Sequence, residues 1–328
     1  MDLSRFAPDH FTTALVGTVV LASVLPASGA MGGVLEVATT GVVSLLFFLH
    51  GAKLSRQAIL AGLGHWRLHL CIFAATFALF PLLGWALRPV LQPLVTPEMY
   101  LGVLFLCTLP ATVQSAIAFT AMARGNMPAA VCSASASTLM GIVVTPVLVG
   151  LLLGRSGDGG SLWGAISRIS LQLLLPFIVG HLLRPVIGGF IQRHARRVKL
   201  VDQGSILLVV YSAFSAAVVS GLWQQTPLPA LAGLLVLCSV LLALVLAITT
   251  WAARGLGFSK EDEITLVFCG SKKSLLSGVP MAKVLFASST VGAIVLPLMI
   301  FHQLQLMVCA VLAQRYARRP EQAVVQPA

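Results

Sequence analysis

Apolar residues run along this chain in long blocks, such as MYLGVLFLC at 99–107 and LAGLLVLCSVLLALVLAITTWAA at 231–253. A block of about 20 apolar residues, wound as a helix, matches the hydrocarbon thickness of a bilayer. Polar, Pro-rich or Gly-rich breaks divide the pattern into ten segments: 11–27, 31–50, 67–88, 98–123, 127–153, 163–189, 203–223, 228–253, 263–286 and 290–314. Each is expected to be a helix, because lipid-facing backbone must satisfy its own hydrogen bonds. The strands of a β-barrel would alternate apolar and polar positions, and these runs do not. The fold class predicted is an all-α polytopic membrane protein, one domain over 1–328.

The first segment is kept as a span although PASGA near residue 30 loosely resembles a cleavage site. The preceding MDLSRFAPDH carries two Asp against one Arg, a poor start for a signal peptide.

Composition agrees with this reading: 58% of the 328 residues are hydrophobic and 9% charged, against about 25% charged in soluble domains. The net charge of +11 is placed for a bilayer rather than for nucleic acid. With the N-terminus inside, inner loops hold Arg5, Lys53, Arg56, Arg67, Arg124, Arg184, Arg193, Arg196, Arg197, Lys199, Arg254, Lys260, Arg315, Arg318 and Arg319. Outer loops hold Arg88, Arg155, Arg168 and Lys283, a bias of 15 to 4 that follows the positive-inside rule. Both termini are then cytoplasmic, and RHARRVK at 193–199 is expected to anchor a loop on lipid headgroups. No nucleic-acid partner is expected.

The six cysteines lie in or beside apolar segments with no C-x-x-C spacing. They read as free thiols packing as small apolar groups. Walker A, H-E-x-x-H and dinucleotide-binding patterns are absent, so neither a metal nor a cofactor is expected. All ten acidic residues are read as lying in loops or at segment edges, which leaves no intramembrane carboxylate for an ion or a proton relay.

Two pairs of stretches suggest that the chain repeats itself. QSAIAFTAMAR (114–124) aligns with KSLLSGVPMAK (273–283), and GIVVTPVLV (141–149) with GAIVLPLMI (292–300), at offsets of 159 and 151. Five spans per half put the two halves in opposite orientations. Repeat one covers about 11–153 and repeat two about 163–314. Inverted repeats characterise secondary transporters, whose sites form from interrupted helices at the repeat interface. Both aligned spans carry the signs of an interruption. In span four Pro110 stands beside Thr112, Gln114 and Ser115; in span nine Gly270 stands beside Ser271, Lys272, Lys273 and Ser274.

The lysine pair is the sharpest anomaly. It lies about ten residues from the nearer end of its span, roughly 15 Å at helical rise, too far for the side chains to reach the headgroups. A charge at mid-membrane costs about 2.5–3.5 kcal/mol on insertion scales, so such residues face a cavity or a partner. Adjacent helical positions point about 100° apart, so one lysine is expected at the crossover. His302 and Gln303 in span ten and His50 at the end of span two are weaker candidates.

LPATVQSAIAFTAMARGNMPAAV (109–131), followed by STLMGIVVTPVL (137–148), resembles the bile acid:sodium symporter family, solute carrier family 10. Ala123-Arg124-Gly125-Asn126 and Ser137-Thr138-Leu139 keep two of its elements. FFLHGAKLSRQAI, GSKKSLLSGVP and LPLMIFHQLQL resemble its member 7-like and bacterial branch. The resemblance implies ten helices in a panel and a core, helices four and nine crossing where they unwind, and a bacterial inner-membrane location.

It also implies a departure from the family's sodium chemistry. Where sodium-dependent members read Glu-Val-Gly-x-Gln-Asn-Ser, this chain has Phe268 for the glutamate, Lys272 for the glutamine and Lys273 for the asparagine. Two hydroxyl positions on the fifth helix become Ala130 and Ala134, with Ser133 and Ser135 beside them.

The expected function is secondary transport of a small organic anion by alternating access. One lysine ammonium stands where the family holds sodium, sodium coupling is altered or absent, and protons are a candidate coupling ion. The expected substrate or ion site is Thr112, Gln114, Ser115, Ser133, Ser135, Ser271, Lys272, Lys273, Ser274, His302 and Gln303. Two other readings stand beside it: a non-transporting regulator or scaffold on the same fold, and an intramembrane hydrolase using Ser271 or Ser274 with Lys273 as a dyad.

Overall fold

The computed structural model describes residues 10–53, 63–153 and 170–319. Twelve helices carry the architecture: α1 His10–Val24, α2 Gly29–Lys53, α3 Trp66–Ala86, α4 Pro97–Thr108, α5 Val113–Met122, α6 Met127–Leu153, α7 Leu175–Arg193, α8 Ala195–Val219, α9 Leu228–Gly255, α10 Lys260–Gly270, α11 Leu275–Leu285 and α12 Ser288–Ala317. Among the described residues, seven helices are long and apolar enough to cross a membrane. The pair α4–α5, bent by 62° at its break, makes an eighth crossing if it is one span. Arg5, Arg56, Arg155, Arg168, Asp2, Asp9, Asp158, Glu321 and the start of the sixth predicted segment lie outside the described residues.

Both predicted interruptions are present. Helix is lost at 109–112 and again at 271–274. Thr112 and Ser274 hold extended backbone as the N-caps of α5 and α11, and Ser274 Oγ accepts from Ser277 N–H at 3.2 Å. Pro110 lacks an N–H to continue α4 and disfavours helix at Leu109, which is extended.

Two expectations need correction. RHARRVK is not a loop: α7 runs to Arg193 and α8 starts at Ala195, with His194 alone between them. Ala, Arg and Lys are good helix formers, so helix continues where the apolar pattern stops. Asp202 therefore lies inside α8, 7% exposed, and Glu36 lies inside α2; the acids are not confined to loops and edges. The two breaks begin at 109 and 271, 162 residues apart, where the aligned stretches QSAIAFTAMAR and KSLLSGVPMAK stand 159 apart.

The helices pack in two groups. α1, α2, α7 and α8 form one, while α3–α6 and α9–α12 form the other, and α8 bridges to α11 and α12. In the first group α2 and α7 touch backbone to backbone. A Cβ on Gly51 would sit 2.0 Å from Phe177 O, and one on Gly180 2.0 Å from Phe48 O. Small residues permit this approach in lipid, where close packing replaces the hydrophobic drive.

One end of the larger group is tied by polar contacts. Arg124 takes φ 57° in the turn between α5 and α6. Asn126 Oδ1 then accepts from Ala129 N–H at 3.1 Å, and its Nδ2 donates to Asp262 at 2.8 Å. Arg319 donates to Glu261 at 2.7 Å and to the carbonyl of Arg124 at 2.8 Å. Lys260 and Arg254 both pair with Glu263. Elsewhere, Lys283 and Ser288 both bond Glu36 across the two groups.

Candidate functional site

The two breaks meet, and their backbone groups can be followed one at a time. The end of α4 should leave carbonyls without partners. Thr145 Oγ1 donates to Thr108 O at 2.8 Å, and Ser274 N–H donates to Pro110 O at 3.0 Å. Lys273 Nζ donates to Cys107 O at 2.8 Å and to Leu109 O at 2.7 Å.

Its third bond goes to Thr76 O at 2.7 Å. Thr76 sits in a π-helical turn of α3, Ala75–Leu79, where Phe80 N–H reaches back to Ala75 O. The next donor in that register would be Pro81, which has none, so the carbonyl of Thr76 is open to an outside donor. Three carbonyl acceptors use all three N–H bonds of an ammonium, and the Phe80 ring centroid lies 4.2 Å from Nζ. Lys273 is thus a fully buried cation held in a cage of backbone oxygens.

Its main chain is held as firmly. Lys273 N–H donates to Gln305 Oε1 at 2.8 Å, and Gln305 Nε2 donates back to Lys273 O at 2.9 Å. Thr112 Oγ1 donates to the same carbonyl at 2.8 Å. His302 Nδ1 lies 2.9 Å from Gln305 Nε2, one turn along α12. Ser137 Oγ accepts from Ala111 N–H at 2.9 Å, securing the first break from α6.

Lys272 is equally buried but differently placed. Its Nζ lies 4.2 Å from the Phe119 ring centroid, has the Cys269 and Cys309 thiols as neighbours, and makes no hydrogen bond to nitrogen or oxygen. Ser115 Oγ and Ser271 Oγ are also buried without a hydrogen-bond partner.

The crossing borders a cavity of about 180 Å³ between the two helix groups. Val113 and Gln114 from the start of α5, and Ser274 and Ser277 from the start of α11, form one wall with Ser135 and Thr138 of α6. His50, Lys53, Phe177 and Asp202 form the other. Two helix N-termini, each the positive end of its dipole, therefore face one space. A second cavity shares Lys53, Gln114 and Asp202 and continues to Gln192 and Lys199.

Of the residues expected from sequence, Thr112, Lys273 and Ser274 build the crossing, and Gln114, Ser135 and Ser274 line the cavity. Neither lysine is in its lining. Ser133 Oγ lies 2.6 Å from His69 Nδ1, away from these residues in its bonding. Gln303 neither bonds at the crossing nor lines the cavity. The hydrolytic reading fails on geometry: Lys273 Nζ is spent on carbonyls, and Ser274 Oγ bonds Ser277. Gln305, Ser137, Lys53 and Asp202 were not among the expected site residues. The signal for Gln305 was an amide three residues beyond His302 in an apolar helix.

The sequence profile of the SBF-like CPA transporter family matches residues 9–318. The chain belongs to the SBF-like CPA transporter family. An uncharacterized Pseudomonas aeruginosa protein, PA2026, is 66% identical over 323 residues, 98% of this chain and 97% of that one. The "Putative symporter YfeH" of Escherichia coli is 56% identical over 319 residues, 97% and 96% of the two chains. Sodium/bile acid cotransporter 7 of Rattus norvegicus is 28% identical over 316 residues, 94% and 93%. The resemblance read from the Ala-Arg-Gly-Asn element and its neighbours is borne out. As a member of the SBF-like CPA family, the chain is a multi-pass membrane transporter rather than an enzyme.

Proposed function

We propose that the chain moves a small organic anion by alternating access through the cavity at the crossing, with Lys273 serving as a built-in cation. The observation that carries this is the oxygen cage around Lys273 Nζ, beside a cavity that faces the starts of α5 and α11. A resident ammonium neutralises the carbonyl end of α4 and needs no ion from solution. An anion in the cavity meets the positive ends of two helices and the hydroxyls of Ser135, Thr138, Ser274 and Ser277.

The helix starts support ten crossings in two repeats. α3–α6 begin at 66, 97, 113 and 127, and α9–α12 at 228, 260, 275 and 288. The offsets are 162, 163, 162 and 161. α4–α5 and α10–α11 are then equivalent broken spans, and an odd number of crossings per repeat inverts the second. The end carrying Arg124, Arg254, Lys260 and Arg319 is the cytoplasmic one by the positive-inside rule. Lys53 and Lys199 line the second cavity; the same rule puts them on the cytoplasmic side, and on this reading the conformation is open inward and both termini are cytoplasmic.

The experiment is uptake of radiolabelled organic anions, bile acids among them, into proteoliposomes with and without a sodium gradient at fixed membrane potential. Uptake that is independent of sodium and lost in Lys273→Met supports the reading; uptake driven by sodium contradicts it.

A further inference from the structure

The second wall of the cavity contains a group that the crossing does not explain. Asp202 is 93% removed from solvent by its 7% exposure. Its Oδ2 pairs with Lys53 Nζ, while Oδ1 is buried with no hydrogen-bond partner. A buried carboxylate oxygen without a donor is costly and marks a place where a donor is wanted. Beside it on α2, His50 Nδ1 lies 2.7 Å from Leu46 O. A carbonyl can only accept, so Nδ1 carries the hydrogen and Nε2 is the ring's acceptor. His50, Lys53 and Asp202 all line the same cavity, with Asp202 and Lys53 within electrostatic range of the imidazole.

We propose that this wall is a proton-binding site, with His50 as the group that takes up the proton and Asp202 and Lys53 as the charges that set its affinity. Uptake is simple protonation: the Nε2 lone pair forms the new N–H bond, and the resulting imidazolium is balanced by the Asp202 carboxylate. The surrounding groups allow it. α2 contributes His50 and Lys53, α8 contributes Asp202 and Lys199, and α7 contributes His181 and Arg184, which line a neighbouring cavity. From α5, α6 and α11 the cavity receives Gln114, Ser135, Thr138, Ser274 and Ser277, none of them charged.

Among the described lining residues Lys53 and Asp202 cancel, so a proton on His50 makes the cavity net positive. That is the space faced by the α5 and α11 N-termini. A proton and an anion bound together each raise the other's affinity by the same factor, which is the requirement for symport. Sodium fits less well: a metal ion there would meet one free carboxylate oxygen beside a lysine ammonium.

The role of the site rests on the transport reading, whereas its existence does not, so the test needs no substrate. The full-length protein, purified in detergent with ¹⁵N-labelled histidine, is titrated by NMR, and His50 is assigned by the resonance lost in His50→Gln. Asp202→Asn should weaken proton binding at His50 about tenfold, and Lys53→Met should strengthen it by a similar factor. If Asp202→Asn does not fold, Lys53→Met and the charge-preserving Asp202→Glu, expected to stay near wild type, decide the matter. His50 titrating alike in wild type and Lys53→Met, or not titrating, overturns the proposal. An intact titration in a protein that transports no anion would count against the transport reading alone.

Discussion

Gln305 and Lys273 form a closed pair: the amide of one accepts from and donates to the main chain of the other, at 2.8 and 2.9 Å. Thus α12 supplies in a side chain what the break between α10 and α11 has lost from the helix ladder. Gln305→Leu removes both bonds at a fully buried position: the Lys273 carbonyl keeps Thr112 Oγ1, but its N–H is stranded, at a cost of about 1–3 kcal/mol. Thermal unfolding in detergent should show a marked loss of stability. Gln305→Glu should recover only part of it, because a carboxylate accepts from the N–H and repels the carbonyl.

The adjacent lysines should respond in opposite directions. Lys273→Met leaves three carbonyl oxygens at the crossing without a donor and should be strongly destabilising, with Lys273→Arg intermediate. Lys272 gives up only a ring contact and its thiol neighbours. Replacing that unbonded polar group with an apolar side chain of similar length should raise stability, by about 1–3 kcal/mol. Thermal melts of the two methionine variants under one condition make the comparison.

The close approach of α2 and α7 sets a third expectation. Gly51→Ala and Gly180→Ala each drive a methyl group into a facing backbone carbonyl, which no rotamer change can relieve. Each should cost about 1–3 kcal/mol as overpacking. Gly41→Ala, where a Cβ meets open space in the same helix, is the control and should leave the melting temperature unchanged.

At the polar end of the larger group, Asn126 joins the start of α6 to Asp262 on α10. Asn126→Ala removes a helix cap, worth about 1 kcal/mol, and a bond to a buried carboxylate, worth about 1.5–3 kcal/mol. Asn126→Asp restores the cap but sets two carboxylates together. It should therefore be no more stable than the alanine variant, whereas Asn126→Ser, which restores the cap without the charge, should recover about 1 kcal/mol. Thermal melts of the three variants test this.

Much of the fold was legible because its signals are compositional. Apolar runs located the seven helices long enough to cross a membrane, and Pro110 and Gly270 amid polar residues located both breaks. Lys272 and Lys273 stood out because charge inside an apolar run has few explanations. The start of α8 was not legible: apolar pattern marks membrane rather than helix, and Ala-Arg-Arg-Val-Lys is helical without being apolar. That error hid Asp202. The partners of Lys273 were hidden for a different reason, since they are backbone carbonyls and every residue has one. Pro81, five residues after Thr76, was the one local sign that such an oxygen would be free. The cavity wall formed by His50, Lys53 and Asp202 joins α2 to α8 across some 150 residues of sequence, a pairing that no local pattern carries.

The central claim, that Lys273 stands in place of a bound coupling cation, is tested most directly by thermal stability of the purified protein in sodium chloride against choline chloride at equal ionic strength. An ion that binds only the folded protein must raise its stability with concentration. Wild type should melt at the same temperature in both salts, and Lys273→Met at a lower one. A wild-type melting temperature that climbs with sodium would show that the folded protein binds the ion, and would contradict the claim.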